Sequence, residues 1–143
     1  MTKPLNIAGR DCRSRLLIGT GKFSSPQMMK AAIEASGSDI ITVALRRVDL
    51  ESDQDPFLEV ISPKDYVFLP NTSGARTAED AVRLARLGKV SGVSNWVKLE
   101  LTPEPDYLLP DPIETLKATE QLVKEGFVVL PYINADPILA KRL

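Results

Sequence analysis

Short apolar runs alternate along this chain with longer stretches whose apolar residues recur at helical spacing. Arg15 to Gly21 is apolar and ends in a glycine turn, the pattern of a strand running into a loop. Ser25-Pro26 then offers an N-cap and a first-turn proline. A helix is predicted over 27–36, with Met28, Ala31, Ala32 and Ala35 on its apolar face and Gly37 closing it. Asp39 to Leu45 is rich in β-branched residues and predicts a second strand. Residues 46–65 are the least regular; Pro56 could open a short helix at the apolar patch Phe57, Leu58, Val60 and Ile61, and Pro63 ends it. Tyr66 to Pro70 reads as a third strand and Asn71 to Gly74 as a polar turn. Thr77, with Asp80 three residues on, starts a helix that places Ala78, Ala81, Val82 and Ala85 on one face.

Asn95 to Leu101 is the fourth strand. Its period of two sets Trp96, Lys98 and Glu100 on one face and Val97, Leu99 and Leu101 on the other. The proline-rich loop 102–107 cannot continue it. Asp111, Pro112 and Glu114 predict a cap, a first-turn proline and a capping partner for a helix over 112–125, with Ile113, Leu116, Leu122 and Val123 buried. Phe127 to Tyr132 is the fifth strand, and Asp136-Pro137 opens a last helix at Ile138. Strand, loop and capped helix recur five times with no linker between them. That alternation predicts an α/β fold, residues 1–143 forming a single domain with a parallel sheet and crossover helices. Eight such repeats would approach a (β/α)8 TIM barrel, while an open doubly wound sheet needs only five strands. Gly19-Thr20-Gly21 is a weak dinucleotide signal, since Ser24 stands where a third glycine belongs.

Composition narrows the chemistry. The 143 residues carry a net charge of −1 with the basic residues scattered, so nucleic acid is not a favoured partner. Histidine is absent, which removes His triads and His metal sites. The one cysteine, Cys12, lies in a polar stretch and reads as a bystander; it cannot form an internal disulfide. No apolar run approaches the roughly 18 residues of a membrane span, and residues 1–9 do not resemble a secretory signal, so a cytoplasmic location is expected.

The fourth strand carries the chemistry. A strand covered by helices is ordinarily apolar on both faces, yet this one holds a lysine and a carboxylate two residues apart. Either they pair with each other, or the strand is an edge with one wet face, or Lys98 is a reactive amine with Glu100 as its proton-transfer partner. A lysine held there among apolar neighbours would have a lowered pKa and could add to a carbonyl to form an imine. Functional loops of a parallel sheet follow the carboxyl ends of its strands. Asn71 to Gly74 could accept an anion there or be only a polar turn. Lys22, Arg46 and Arg47 are loop cations at that face, read as solvated charges. Asp111 and Asp136 are read as helix caps, and Trp96 as core.

Five segments occur in the order and spacing of one known family: Gly19 to Phe23, Leu69 to Ala75, Asn95 to Glu100, Leu109 to Leu116, and Gly126 to Tyr132. In these the chain resembles bacterial thiazole synthase, the enzyme that assembles the thiazole phosphate of thiamin. The resemblance implies a (β/α)8 barrel, here cut to about five strand–helix repeats. It implies 1-deoxy-D-xylulose 5-phosphate, dehydroglycine and the thiocarboxylate of a sulfur-carrier protein as substrates and partners, a homo-oligomer, and no cofactor. It places the family's Schiff-base lysine on Lys98 and its acid–base glutamate on Glu100. Family members run about a hundred residues further and carry their phosphate site there, so no phosphate-binding residue is assigned. Another Schiff-base barrel of the aldolase type and a non-catalytic fragment remain the alternatives.

Overall fold

The computed structural model of the chain describes residues 3–44 and 60–143. It opens on a feature the hydrophobic pattern does not reveal. Strands β1 (Leu5–Ile7) and β2 (Arg10–Cys12) form an antiparallel hairpin, Leu5 facing Cys12 and Ile7 facing Arg10. Ala8 and Gly9 both have positive φ, 49° and 80°, as a two-residue type I′ turn requires. Three-residue strands are too short to show a period. The hairpin also buries Cys12, which a polar stretch does not suggest.

The chain divides into two compact units, Met1–Leu69 and Pro70–Leu143. In the first, β3 (Leu17–Gly19) pairs in parallel with β4 (Ile40–Ala44), Ile18 opposite Ile41. Between them runs α1 (Pro26–Ser36). Ser25 caps it, accepting the Met28 N–H at 3.2 Å, and Gly37 ends it in the left-handed conformation at φ 62°. Its buried face differs from the predicted one. Met29 and Ile33 are buried, while Met28 is 58% exposed and Ala31 and Ala35 are exposed. The bulkier 29/33 pair removes more apolar surface from water than a row of alanines, and it fixes the helix rotation. Asp39, at the entry to β4, is buried and accepts the Arg13 backbone N–H at 2.6 Å, the Ser14 N–H at 3.1 Å and the Arg13 Nε at 2.8 Å. Leu45 and the patch from Pro56 to Glu59 lie outside the described residues.

Strand β5 (Val67–Asn71) is buried along all but its last residue, as a strand covered on both faces should be. It ends in the second unit, where α2 (Ala78–Val90), β6 (Trp96–Leu99), α3 (Pro112–Lys124), β7 (Val128–Pro131) and α4 (Pro137–Arg142) follow. In the second unit β5 pairs in parallel with β6, and β6 with β7, so strand order follows chain order there as it does in the first. Residue 71 lies opposite 98, and 98 opposite 130.

The core of the second unit joins Ala81, Val82 and Ala85 of α2, Val97, Leu99 and Leu101 of the β6 segment, and Ala118 and Leu122 of α3, with Phe127. The predicted α2 face holds. The α3 face holds only in part: Leu122 is buried as predicted and Leu116 half-buried, but Thr115, Ala118 and Thr119 take the rest of the buried face, while Ile113 and Val123 are 65% and 54% exposed. Small residues let α3 lie close to α2 and the sheet, and apolar residues on both sides of the helix hid that face from the sequence. Asp111 caps α3 as predicted, accepting the Ile113 and Glu114 N–H groups at 2.8 and 2.9 Å. Glu114 does not complete a capping box. Its Oε2 accepts the Ala78 N–H at 2.7 Å and so caps α2, while the Asp111 N–H donates to Leu101 O.

Candidate active site

The predicted alternation on β6 is present. Val97, Leu99 and Leu101 are buried against the helices, and Trp96, Lys98 and Glu100 form the half-buried face. Trp96 is therefore only half core. Lys98 Nζ lies 3.0 Å from Glu100 Oε1, so the two candidate residues form an ion pair. Their side chains are 41% and 18% exposed. β6 is not an edge strand, having β5 on one side and β7 on the other. Paired positions of parallel strands share a face, which puts Asn71 and Leu130 beside Lys98. The lysine is thus not enclosed by apolar neighbours as the sequence suggests. It has an amide on one side, an aliphatic chain on the other, and a carboxylate against its ammonium.

The backbone beneath this pair is irregular. Asn71 pairs with Lys98 and Ala75 with Leu101, so four steps along one strand match three along the other. That is a bulge with one extra residue, of the kind that re-aims side chains. Thr72, fully buried, fills the gap. Its hydroxyl accepts the Glu100 N–H at 2.9 Å and donates to Glu100 O at 2.8 Å, while its own N–H donates to Lys98 O at 3.2 Å. The sequence reading treats this turn as a possible anion cradle and misses that contact. The available signal is a threonine directly after a buried strand, with no solvent for its hydroxyl. Asn71 Oδ1 is occupied locally by the Ser73 N–H at 3.3 Å.

The other flagged residues do not join the pair. Asp111 and Asp136 are helix N-caps, as read. Lys22 is exposed in the β3–α1 loop of the first unit, with φ 67°. Arg46 and Arg47 lie outside the described residues. Among the described residues no group of three or more His, Cys, Asp or Glu could hold a metal ion, and no helix is long and apolar enough to cross a membrane.

The fold and the pair together define an α/β protein with a parallel sheet that presents an amine–carboxylate couple toward the carboxyl end of an internal strand. Comparison with known proteins is more specific. The family model described as thiazole biosynthesis protein ThiG matches residues 6–143, and the chain belongs to that family. It is 69% identical over all 143 residues to the thiazole synthase of Syntrophobacter fumaroxidans, covering 56% of that protein. It is 66% identical over 139 residues to thiazole synthase 2 of Syntrophotalea carbinolica, covering 97% of this chain and 54% of the other. The chain spans about half the length of the curated relatives it matches. Among solved structures, the Amycolatopsis orientalis BexX/CysO complex superposes with a TM-score of 0.78 at 29% identity, over 99% of this chain and 59% of the other.

Proposed function

We propose that this chain is part of a thiazole synthase that builds thiazole phosphate for thiamin from 1-deoxy-D-xylulose 5-phosphate, dehydroglycine and the thiocarboxylate sulfur of a carrier protein. The observation that carries the reading is the Lys98–Glu100 contact of 3.0 Å on an internal parallel strand, within a chain of the ThiG family. Glu100 takes a proton from the Lys98 ammonium, and the freed amine adds to the ketose carbonyl carbon to give a carbinolamine. The protonated carboxyl then returns its proton to the carbinolamine hydroxyl, which leaves as water as the C=N bond forms. Solvent reaches Lys98, so a substrate carbonyl can reach it too. The whole enzyme is read as a (β/α)8 barrel, with residues 1–143 supplying five of its repeats in one domain and the Lys98 face turned inward. A parallel sheet laid down in chain order, with α2 and α3 packed on one face of β6, supports this. A homo-oligomer in the cytoplasm completes the reading. A protein partner is supported by the solved neighbour, which comes from a BexX/CysO complex.

The test is a chimera joining this chain to the part of the Syntrophobacter fumaroxidans relative that it does not span. Incubation with 1-deoxy-D-xylulose 5-phosphate and borohydride should give one reduced adduct, mapping to Lys98 by peptide mass spectrometry. Lys98→Ala should abolish adduct and thiazole phosphate together. An adduct on another lysine, or turnover that survives Lys98→Ala, would remove Lys98 from the mechanism. Cleavage of a ketose phosphate without a sulfur donor would favour an aldolase.

A further inference from the structure

We propose that Thr72 is a positioning residue for the Lys98–Glu100 pair, its hydroxyl holding the Glu100 backbone so that the carboxylate stays on the amine. The inference rests on the reading of those two residues as the reacting couple. The one-residue bulge between Asn71–Lys98 and Ala75–Leu101 interrupts the ladder at residue 100. Glu100 would then present a backbone N–H and C=O with no strand partner, a costly arrangement beside a buried core. A single oxygen, Thr72 Oγ1, closes both, at 2.9 and 2.8 Å. Rotation of the Glu100 peptide groups therefore breaks two hydrogen bonds at once, and the Cα–Cβ direction of Glu100 is fixed from below. The Thr72 N–H meanwhile donates to Lys98 O at 3.2 Å. One residue thus grips the main chain of both candidate residues, and the bulge aims their side chains at each other.

Valine has the shape of threonine without the hydroxyl. Thr72→Val offers neither donor nor acceptor and lets the Glu100 segment turn, so the carboxylate leaves Nζ for part of the time. The readout is the rate of Lys98 modification by formaldehyde and cyanoborohydride on the full chain, followed by peptide mass spectrometry as a function of pH. Glu100→Gln removes the proton acceptor that frees the amine, so it should slow modification at neutral pH several-fold. Thr72→Val should move the pH profile in the same direction, and Thr72→Ser, which keeps the hydroxyl, should restore the wild-type profile. A purely structural role would lower the unfolding midpoint of Thr72→Val and leave the Lys98 profile of the folded protein unchanged, and that result overturns the proposal. Should Thr72→Val not fold, Thr72→Ser decides: a wild-type profile supports the hydroxyl, and a Glu100→Gln-like profile overturns it. A Glu100→Gln profile identical to wild type would instead bring down the reading of the pair itself.

Discussion

Replacing Asp39 by Asn tests the reasoning about burial and charge in the first unit. The Asp39 side chain is 11% exposed and receives two backbone N–H groups, from Arg13 and Ser14, and two contacts from the Arg13 guanidinium, Nε at 2.8 Å and an Nη at 2.7 Å. The guanidinium is 81% exposed, so its share is that of a surface pair, about 0.5 kcal/mol. The backbone bonds are charge-assisted and shielded from water, worth about 1.5–3 kcal/mol each. Both backbone N–H groups meet the same oxygen, Oδ2, so asparagine can keep both bonds, but as neutral ones worth about 0.5–1.5 kcal/mol each, and its NH2 turns toward the guanidinium and adds a repulsion. Asp39→Asn should therefore cost about 3 kcal/mol in urea unfolding at neutral pH, and Arg13→Ala less than about 1. Burial alone would raise the Asp39 pKa, but the Arg13 side-chain bond, the Ser14 and Arg13 backbone N–H groups and the Arg13 charge together hold it below its ordinary 3.8. The contribution is thus complete above pH 3.8 and fades as pH falls through the lower folded value. The gap between wild type and Asp39→Asn should close on acidification below that point. Equal costs for Asp39→Asn and Arg13→Ala, or a gap that widens in acid, would refute the argument.

Three further substitutions test the second unit. Thr115 and Thr119 are buried with hydroxyls that have no hydrogen-bond partner, so Thr115→Val and Thr119→Val should each raise stability by about 1 kcal/mol in urea unfolding. Glu114 ties the start of α2 to α3, and its carboxyl is held below its ordinary 4.5 by the Lys117 bond and then by the Ala78 N–H, against a smaller opposing effect of burial. Glu114→Ala should speed exchange of the Ala78 amide, and in wild type the same amide should lose protection as pH falls below 4.5.

Element order was legible because capping chemistry is local. Ser25, Thr77, Asp111 and Asp136 each mark a helix start that needs no knowledge of the rest of the fold. Helix faces were less legible. In α1 and α3 the buried side is chosen by what the helix meets, so Met29 displaces Met28, and Thr115 with Thr119 displaces Ile113. The Lys98–Glu100 face followed from a period of two, which no packing detail can alter. The Glu114 cap could not be read, since it joins two helix starts through a hydrogen bond that leaves no trace in composition, and the Thr72 contact left only the signal of a threonine directly after a buried strand. The environment of Lys98 was misjudged for a related reason: Asn71 reaches it only through strand register.

The strand order has a kinetic meaning. Ile18 pairs with Ile41, Asn71 with Lys98, and Lys98 with Leu130, so within each unit a new strand docks on the one made just before it. Among these pairs no strand waits for a distant partner: α1 is the crossover of the first, and α2 and α3 are those of the other two. Parallel sheets are ordinarily slow to form because their pairings are non-local, but here the separation stays close to the minimum a crossover helix permits. Each of these strand pairs can therefore form in the direction of synthesis, with its crossover helix already made.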